Sequence, residues 1–302
     1  MKVFVFGASG IIGQHMLLNK PTGVIPYFFR GSKADYSIGS STDPHGPFLS
    51  FNTGSDSVIT PLVAERPDVI VNLAGENRVD VVEQNPELSR YVNVLFPASL
   101  ANLSTHKLVN ARLIQVSTQG VFSGENPTYA PNDTPHPVTE YGKQKLEAEQ
   151  QVLKYSNGTI ARVTFVLGVR PFQRIGRVNP LEQMFTDLDQ KQVNDRWFSP
   201  AFANDVARQL WRLVLEPSKE TVVHIGEPVR LSRYDIAMKV AELMQMTKDG
   251  KYPNLQAVSH ETFKGIAPRP RDTTWANGAL YSNKFEDNLI SAFMDWKKYG
   301  LK

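Results

Sequence analysis

An ammonium follows a phenol by four positions in Tyr141-Gly142-Lys143-Gln144-Lys145, a little over one helical turn, so the two side chains share a helix face. A free phenol, with a pKa of about 10, is a poor acid–base group at neutral pH. A neighbouring ammonium favours the phenolate and lowers that pKa, and the same lysine is long enough to reach a ribose. The chemistry on offer is proton transfer to or from an oxygen. By spacing alone the pair is common, and its plain reading is a surface pair on a helix. Upstream, Leu113-Ile114-Gln115-Val116 runs into Ser117-Thr118-Gln119-Gly120, which puts hydroxyls at a strand end about 23 residues before the tyrosine. A hydroxyl placed there donates to a carbonyl oxygen as it becomes an alkoxide. The residues leave open whether Ser117 or Thr118 does so, and an ordinary polar strand end is the bland alternative.

A second signal lies at the N-terminus. Gly7-Ala8-Ser9-Gly10-Ile11-Ile12-Gly13 follows the apolar run Val3–Phe6 and opens an apolar-periodic helix. Glycine is needed where the backbone turns sharply, where a diphosphate comes into contact and where helix meets strand. The freed N–H groups and the helix dipole then hold the anion. In this context the triplet is a dinucleotide signature rather than a simple turn. At the end of the next strand, where NAD enzymes place a carboxylate for the ribose 2′-hydroxyl, the chain has Tyr27-Phe28-Phe29-Arg30 and then Lys33, with no acid before Asp35. Arg30 and Lys33 suit a 2′-phosphate, so NADP(H) is favoured over NAD(H).

These groups need a scaffold. Strand-like runs at Val3–Phe6, Val24–Phe29, Phe48–Phe51, Val69–Leu73, Leu113–Ser117, Thr159–Val166 and Val222–Ile225 alternate with helical patterns. The helices fall at Gly10–Leu18, Val58–Glu65, Pro86–Thr105, Val138–Ser156, Ala203–Leu215 and Ser232–Met246. Such alternation predicts an α/β fold, a Rossmann-type doubly wound parallel sheet, with a smaller C-terminal substrate-binding lobe. The dinucleotide domain is assigned to residues 1–169 plus 201–226, and the lobe to 170–200 plus 227–302. Gly31 to Pro47, rich in Ser, Gly, Pro and Asp, reads as a loop.

Composition narrows the partners. The 302 residues are 41% hydrophobic and 21% charged, with net charge +3 and no Lys/Arg run longer than two, which argues against nucleic acid. The absence of cysteine removes disulfides, thiolate metal sites and a Cys nucleophile. His15, His45, His106, His136, His224 and His260 show no metal-ligand spacing, and no metal is expected. The opening apolar run is too short for a secretory segment and nothing nears a membrane span, so a soluble, cytoplasmic protein is expected. The two long helices at 86–105 and 138–156 make a homodimer plausible.

Taken together, the chain resembles the extended short-chain dehydrogenase/reductases, and within them the dTDP-4-dehydrorhamnose reductase family. The resemblance runs from the first strand to about Trp275, with most of its specificity before Ala161. It implies that Asn72, Leu73 and Ala74, in Arg66-Pro67-Asp68-Val69-Ile70-Val71-Asn72-Leu73-Ala74, line the cofactor, and that Asn93 joins them. The family's hydroxyl stands three residues before a Val-aromatic pair, which here selects Thr118, beside Ser117. The implied triad is Thr118, Tyr141 and Lys145, the last two also meeting the cofactor. The resemblance further places Phe165, in Arg162-Val163-Thr164-Phe165, and Arg269 and Arg271, in an Arg-Pro loop, near the substrate. Gln119 stands where the family usually carries Asp, Gly120 where it carries an aromatic residue, and Phe165 where tryptophan is often found. The third strand's usual adenine-holding acid corresponds to Phe51 or Asn52.

The resemblance implies NADPH-dependent reduction of a nucleotide-linked 4-keto-6-deoxysugar. Hydride comes from nicotinamide, Tyr141 supplies the proton, Thr118 polarises the carbonyl, and Arg269 or Arg271 meets the diphosphate. Gln119-Gly120 removes the acid–base pair a dehydratase needs, whereas an epimerase needs no such acid. The other alternative is a non-catalytic binding subunit. Glu76-Asn77-Arg78-Val79-Asp80-Val81-Val82-Glu83 and Arg269-Pro270-Arg271 also resemble the family branch that serves as regulatory partner of methionine adenosyltransferase.

Overall fold

A computed structural model describes residues 1–31, 49–51, 59–156, 158–172, 179–187, 191–245, 255–263 and 265–300. In chain order the strands are β1 (Lys2–Phe6), β2 (Ile25–Gly31), β3 (Leu49–Phe51), β4 (Val69–Asn72), β5 (Arg112–Thr118), β6 (Thr159–Val163), β7 (Val166–Leu167), β8 (Lys191–Val193), β9 (Trp197–Phe198), β10 (Ala201–Phe202), β11 (Val222–Ile225), β12 (Leu231–Ser232), β13 (Gln256–Val258) and β14 (Asp272–Thr273). The helices are α1 (Ile11–Leu18), α2 (Ile59–Glu65), α3 (Val79–Gln84), α4 (Pro86–Arg90), α5 (Phe96–Ser104), α6 (Glu140–Tyr155), α7 (Pro180–Thr186), α8 (Ala203–Leu215), α9 (Arg233–Gln245) and α10 (Phe285–Asp295).

Seven strands form one parallel sheet in the order β11-β6-β5-β4-β1-β2-β3. Successive side chains of a strand point to opposite faces, and here both faces are covered. Val3, Val5, Val69, Val71, Ile114 and Val116 pack with Met16 of α1 and Val206, Leu210 and Trp211 of α8. Their neighbours Phe4, Phe6, Ile70 and Leu113 pack instead with Leu62, Phe96, Leu100 and Val152. The chain runs outward from β1 to β3 and returns to β4 on the other side, so the order reverses between β1 and β4. Ligands of open α/β sheets bind at the carboxyl ends of the strands beside such a reversal.

A second core joins Leu167 and Val169 to Leu181, Phe185, Ile236, Val240, Leu289, Phe293 and Trp296, so α7, α9 and α10 gather beside the sheet. The expected run Thr159–Val166 is two strands. β6 ends at Val163, and β7 leaves the main sheet to pair with β10. The expected helix 86–105 is likewise interrupted by a π-helical turn at Tyr91–Leu95. Of the Ser/Gly/Pro-rich stretch only Gly31, which closes β2, lies among the described residues. No helix among those residues is long and apolar enough to cross a membrane.

His224 of β11 stacks on Trp275 with ring centroids 3.7 Å apart. Burial, and then the Arg162 charge, hold its pKa down to about 3. The unfolded chain therefore takes up a proton below about pH 6.5 that the fold refuses, and stability from this group falls as pH falls. Below about pH 6 the loss amounts to up to about 1.4 kcal/mol per pH unit. His224→Phe retains the stacking and is expected to flatten that slope in denaturant titrations. An unchanged slope would remove His224 from the acid sensitivity.

Candidate active site

Backbone contact brings the first glycine turn against the end of β4. Gly7 has φ +76°, and a Cβ on it would lie 2.5 Å from the Ala74 nitrogen. Leu73 donates its N–H to the Phe6 carbonyl at 2.9 Å, locking the two strand ends together. A Cβ on Gly13 would meet the Ala8 backbone at 2.4 Å, so the third glycine permits the helix–strand approach. Gly10 caps α1 with no side-chain hydrogen bond. The first N–H groups of a helix have no intrahelical acceptor, so those of Ile11, Ile12 and Gly13 are left for an anion, with Ser9 on the same turn. The cradle suits a dinucleotide diphosphate. Lys33 lies outside the described residues, as does the Arg30 side chain.

Asn72 is fully buried. It donates to Gln115 Oε1 at 2.8 Å and accepts the Ala74 N–H at 3.1 Å, bracing the turn that follows β4. Asn93 is also fully buried and its amide is occupied by the protein itself. Its Oδ1 accepts the Glu76 N–H at 2.8 Å, while Nδ2 donates to the Glu76 carbonyl and to Gln144 Oε1.

β5 ends at Thr118, whose hydroxyl accepts the Gly120 N–H at 3.1 Å and lies within hydrogen-bonding reach of the Tyr141 phenol. Thr139 caps α6, accepting the Gly142 N–H at 2.9 Å, and so starts the helix just before the tyrosine. A Cβ on Gly142 would sit 2.2 Å from the Gly120 carbonyl oxygen. Only glycine lets this first turn of α6 touch the loop after Thr118. Lys145 is buried and donates to the Val116 carbonyl at 2.8 Å. Hydroxyl, phenol and ammonium thus meet at one strand end. The neighbouring Ser117 Oγ is buried without a partner, as is Gln119 Oε1.

Burial pushes the Tyr141 pKa up to about 12; the Thr118 hydroxyl opposes the rise and the Glu76 charge adds to it. The Lys145 ammonium is turned to the Val116 carbonyl. Burial pulls Lys145 itself down to about 8, against the support of Glu149. At neutral pH the phenol is therefore protonated and the lysine still mostly charged.

Above this edge lies a cluster of arginines. Arg269 is bound by Asp80 at 2.6 Å, and its Nη1 is buried without a partner. Arg233 opens α9 with a buried, unpartnered Nε, its guanidinium 6.0 Å from the Phe165 ring. Arg196 donates to the Pro270 carbonyl at 3.0 Å. Its pKa is pulled down to about 10 by burial first, then by Arg269 and Arg233. Arg271 is exposed, 6.0 Å from the Trp197 ring. The cluster is joined to the Thr118 loop, since a Cβ on Gly124 would meet the Arg271 nitrogen at 2.6 Å. Phe165 packs on Phe198 at 4.7 Å. Reasoning from sequence missed Arg196 and Arg233, which stand in segments without any motif.

A doubly wound sheet with a glycine cradle at its reversal point and a hydroxyl–Tyr-x-x-x-Lys set beside it defines an extended short-chain dehydrogenase/reductase. Residues 1–299 match the family described as RmlD substrate binding domain, and the chain belongs to that family. Methionine adenosyltransferase 2 subunit beta of Rattus norvegicus is 33% identical over 261 residues, covering 81% of this chain and 72% of the relative. dTDP-4-dehydrorhamnose reductase of Escherichia coli (strain K12) is 25% identical, covering 98% and 95%. The crystal structure of dTDP-4-dehydrorhamnose reductase from Bacillus anthracis in complex with NADP shares the fold, with TM-score 0.78, 23% identity and coverage of 97% and 99%.

Proposed function

We infer that this chain is an NAD(P)(H)-dependent reductase of a nucleotide-linked 4-keto-6-deoxysugar. The observation that carries this reading is the meeting of Thr118, protonated Tyr141 and Lys145 beside the Gly7–Gly13 cradle. Residues 1–169 with 201–226 would hold the dinucleotide, and 170–200 with 227–302 would close over the sugar nucleotide. Arg30 and Lys33 favour the phosphorylated cofactor. When bound, the nicotinamide supplies the hydride.

The remaining steps belong to the chain's own groups. The Thr118 hydroxyl donates to the sugar carbonyl oxygen and polarises it. Tyr141 then gives its phenolic proton to the alkoxide, a transfer suited to a group neutral at pH 7. Lys145 holds the ribose and stabilises the phenolate left behind. The partly buried guanidinium groups of Arg196, Arg233 and Arg269 suit a diphosphate, because Arg233 Nε and Arg269 Nη1 are buried there without a partner. Leu88, Tyr91 and Leu95 are exposed on neighbouring turns, with Leu88 82% exposed, which supports a face for a second copy.

A second reading has its own support in the 33% identity to methionine adenosyltransferase 2 subunit beta. In it the same site binds its dinucleotide without turnover. The two separate in one assay, in which NADPH absorbance is followed with dTDP-linked 4-keto-6-deoxysugar at pH 7. Oxidation dependent on the sugar supports the reductase. Dinucleotide binding without oxidation, together with co-purification of a second enzyme, supports the binding subunit. Exchange of sugar stereoisomers without net NADPH loss would point to epimerisation.

A further inference from the structure

The segment that leads to Arg269 and Arg271 has little packing to hold it. Phe263 and Ile266 are 54% and 58% exposed, so its large apolar side chains stand in water. Its hold is polar and comes from α3, the helix that follows β4. Asp80, the second residue of α3, takes three N–H groups from the segment. Its Oδ1 accepts the Ile266 and Ala267 amides, each at 3.0 Å, and its Oδ2 accepts Arg269 Nη2 at 2.6 Å. A Cβ on Gly265 would lie 3.1 Å from Asp80 Oδ1, so glycine lets the turn lie close over the carboxylate. Beyond Arg269 the chain is fixed to the catalytic edge. The Pro270 carbonyl accepts from Arg196, and a Cβ on Gly124, in the loop after Thr118, would meet the Arg271 nitrogen at 2.6 Å.

We propose that Asp80 is a positioning residue for a nucleoside diphosphate, holding Arg269 so that its remaining donors join those of Arg196 and Arg233 in a preformed anion seat. Its role rests on the nucleotide-sugar reading of the site, not on turnover. A guanidinium is a rigid planar fork. Once Nη2 is held on a carboxylate, the directions of Nε and Nη1 follow, and Nη1 is buried here without an acceptor. An arginine free in water loses rotamer freedom when it grips a ligand, whereas one already held loses little.

The balance of charge explains why a carboxylate can stand at an anion seat. Besides burial, the charges of Arg269 and Arg233 destabilise the Arg196 guanidinium, so the three cations share one region. Among the described residues no carboxylate pairs with Arg196 or Arg233. Asp195 is committed to the Ser259 hydroxyl at 2.6 Å and the His260 amide at 2.8 Å. One carboxylate against three guanidinium groups leaves the region positive, and an anion is still attracted. Like charges repel, so without Asp80 the Arg269 side chain would turn from its neighbours toward water. Three forks on separate segments suit oxygens spread over two phosphates better than a lone carboxylate.

The test is calorimetric titration of dTDP into the whole chain in excess NADPH, which keeps dTDP out of the Gly7–Gly13 cradle. Asp80→Asn retains an oxygen for the Ile266 and Ala267 amides and turns an NH2 group toward Arg269. The segment stays seated while the guanidinium is released. Affinity for dTDP should fall about tenfold, with NADPH affinity unchanged. The sign discriminates, because by charge alone the loss of a carboxylate beside an anion seat would tighten binding. Arg269→Ala should weaken dTDP binding by a similar factor. Adding Asp80→Asn to it should bring no further loss, since Asp80 acts through that guanidinium.

Equal or tighter dTDP binding in Asp80→Asn would overturn the proposal. So would the same loss on top of Arg269→Ala, a parallel loss of NADPH affinity, or a wild type that does not take up dTDP. Binding of dTDP that depends on Asp80, in a chain that oxidises no NADPH with the keto-sugar, would defeat the reductase reading and leave the role of Asp80 standing.

Discussion

Tyr141→Phe is expected to lower sugar-dependent NADPH oxidation by about 10²–10⁴-fold, the usual worth of a positioned general acid. The phenol oxygen meets Thr118 and carries its proton at neutral pH, so the hydroxyl is the only atom removed and the only proton donor lost. The ring is retained, and it packs beside Gly120, whose added Cβ would lie 3.8 Å from Tyr141 Cδ1. The Gly7–Gly13 cradle is untouched. Dinucleotide affinity, measured by fluorescence titration, should therefore stay within about threefold while kcat collapses, as when an interaction made only in the transition state is removed. A variant that keeps more than about a tenth of wild-type kcat would take the proton transfer away from this phenol.

The largest effect on stability is expected about two turns further along α6. Glu149 and Arg162 pair at 2.7 and 3.0 Å, with side chains only 3% and 4% exposed. Arg162 also donates to the Pro131 carbonyl and lies 5.1 Å over the Phe122 ring. Removing one partner strands a buried charge, at a cost of about 3–5 kcal/mol. Arg162→Leu and Glu149→Leu should each lower the denaturation midpoint accordingly. The double variant should be far less damaging than the sum of the two, because no unpaired charge remains. Additive losses of under about 1 kcal/mol each would show that the pair contributes little. Glu149 also supports the charge on Lys145, so Glu149→Gln should lose activity from the alkaline side first, as the ammonium deprotonates at lower pH.

How much of this was readable beforehand depends on the range of the signal. The glycine turn and the Tyr-x-x-x-Lys segment are local, and local spacing is what a helix or strand converts directly into geometry. The parallel sheet followed from apolar runs such as Val3–Phe6 and Val69–Asn72, which must be buried on both faces. The break at Thr164 was hidden because Thr159–Val166 is one run rich in β-branched and aromatic residues with no glycine or proline, and only pairing of Val166–Leu167 with Ala201–Phe202 takes its end away. The π-helical turn at Tyr91–Leu95 leaves no mark on a 3.6-residue pattern.

The arginine cluster was less legible still. Arg196, Arg233 and Arg269 come from three separated segments and converge only through tertiary folding. Spacing puts Tyr141 and Lys145 on one helix face without saying where the ammonium points, and here it points at the Val116 carbonyl. Asn93, expected beside the cofactor, has its amide committed to Glu76 and Gln144.

Isotope transfer examines the convergence of phenol, hydroxyl and ammonium beside the glycine turn more directly than any rate. NADPH deuterated at nicotinamide C4, on each face in turn, is incubated with the dTDP-linked keto-sugar, and the product is read by NMR. A reductase of this geometry places deuterium from one face only on the carbon that gains the new hydroxyl, and Tyr141→Phe abolishes the transfer. Saturating dinucleotide binding with no deuterium in any sugar product would contradict it, and would leave the chain as a binding subunit built on a reductase scaffold.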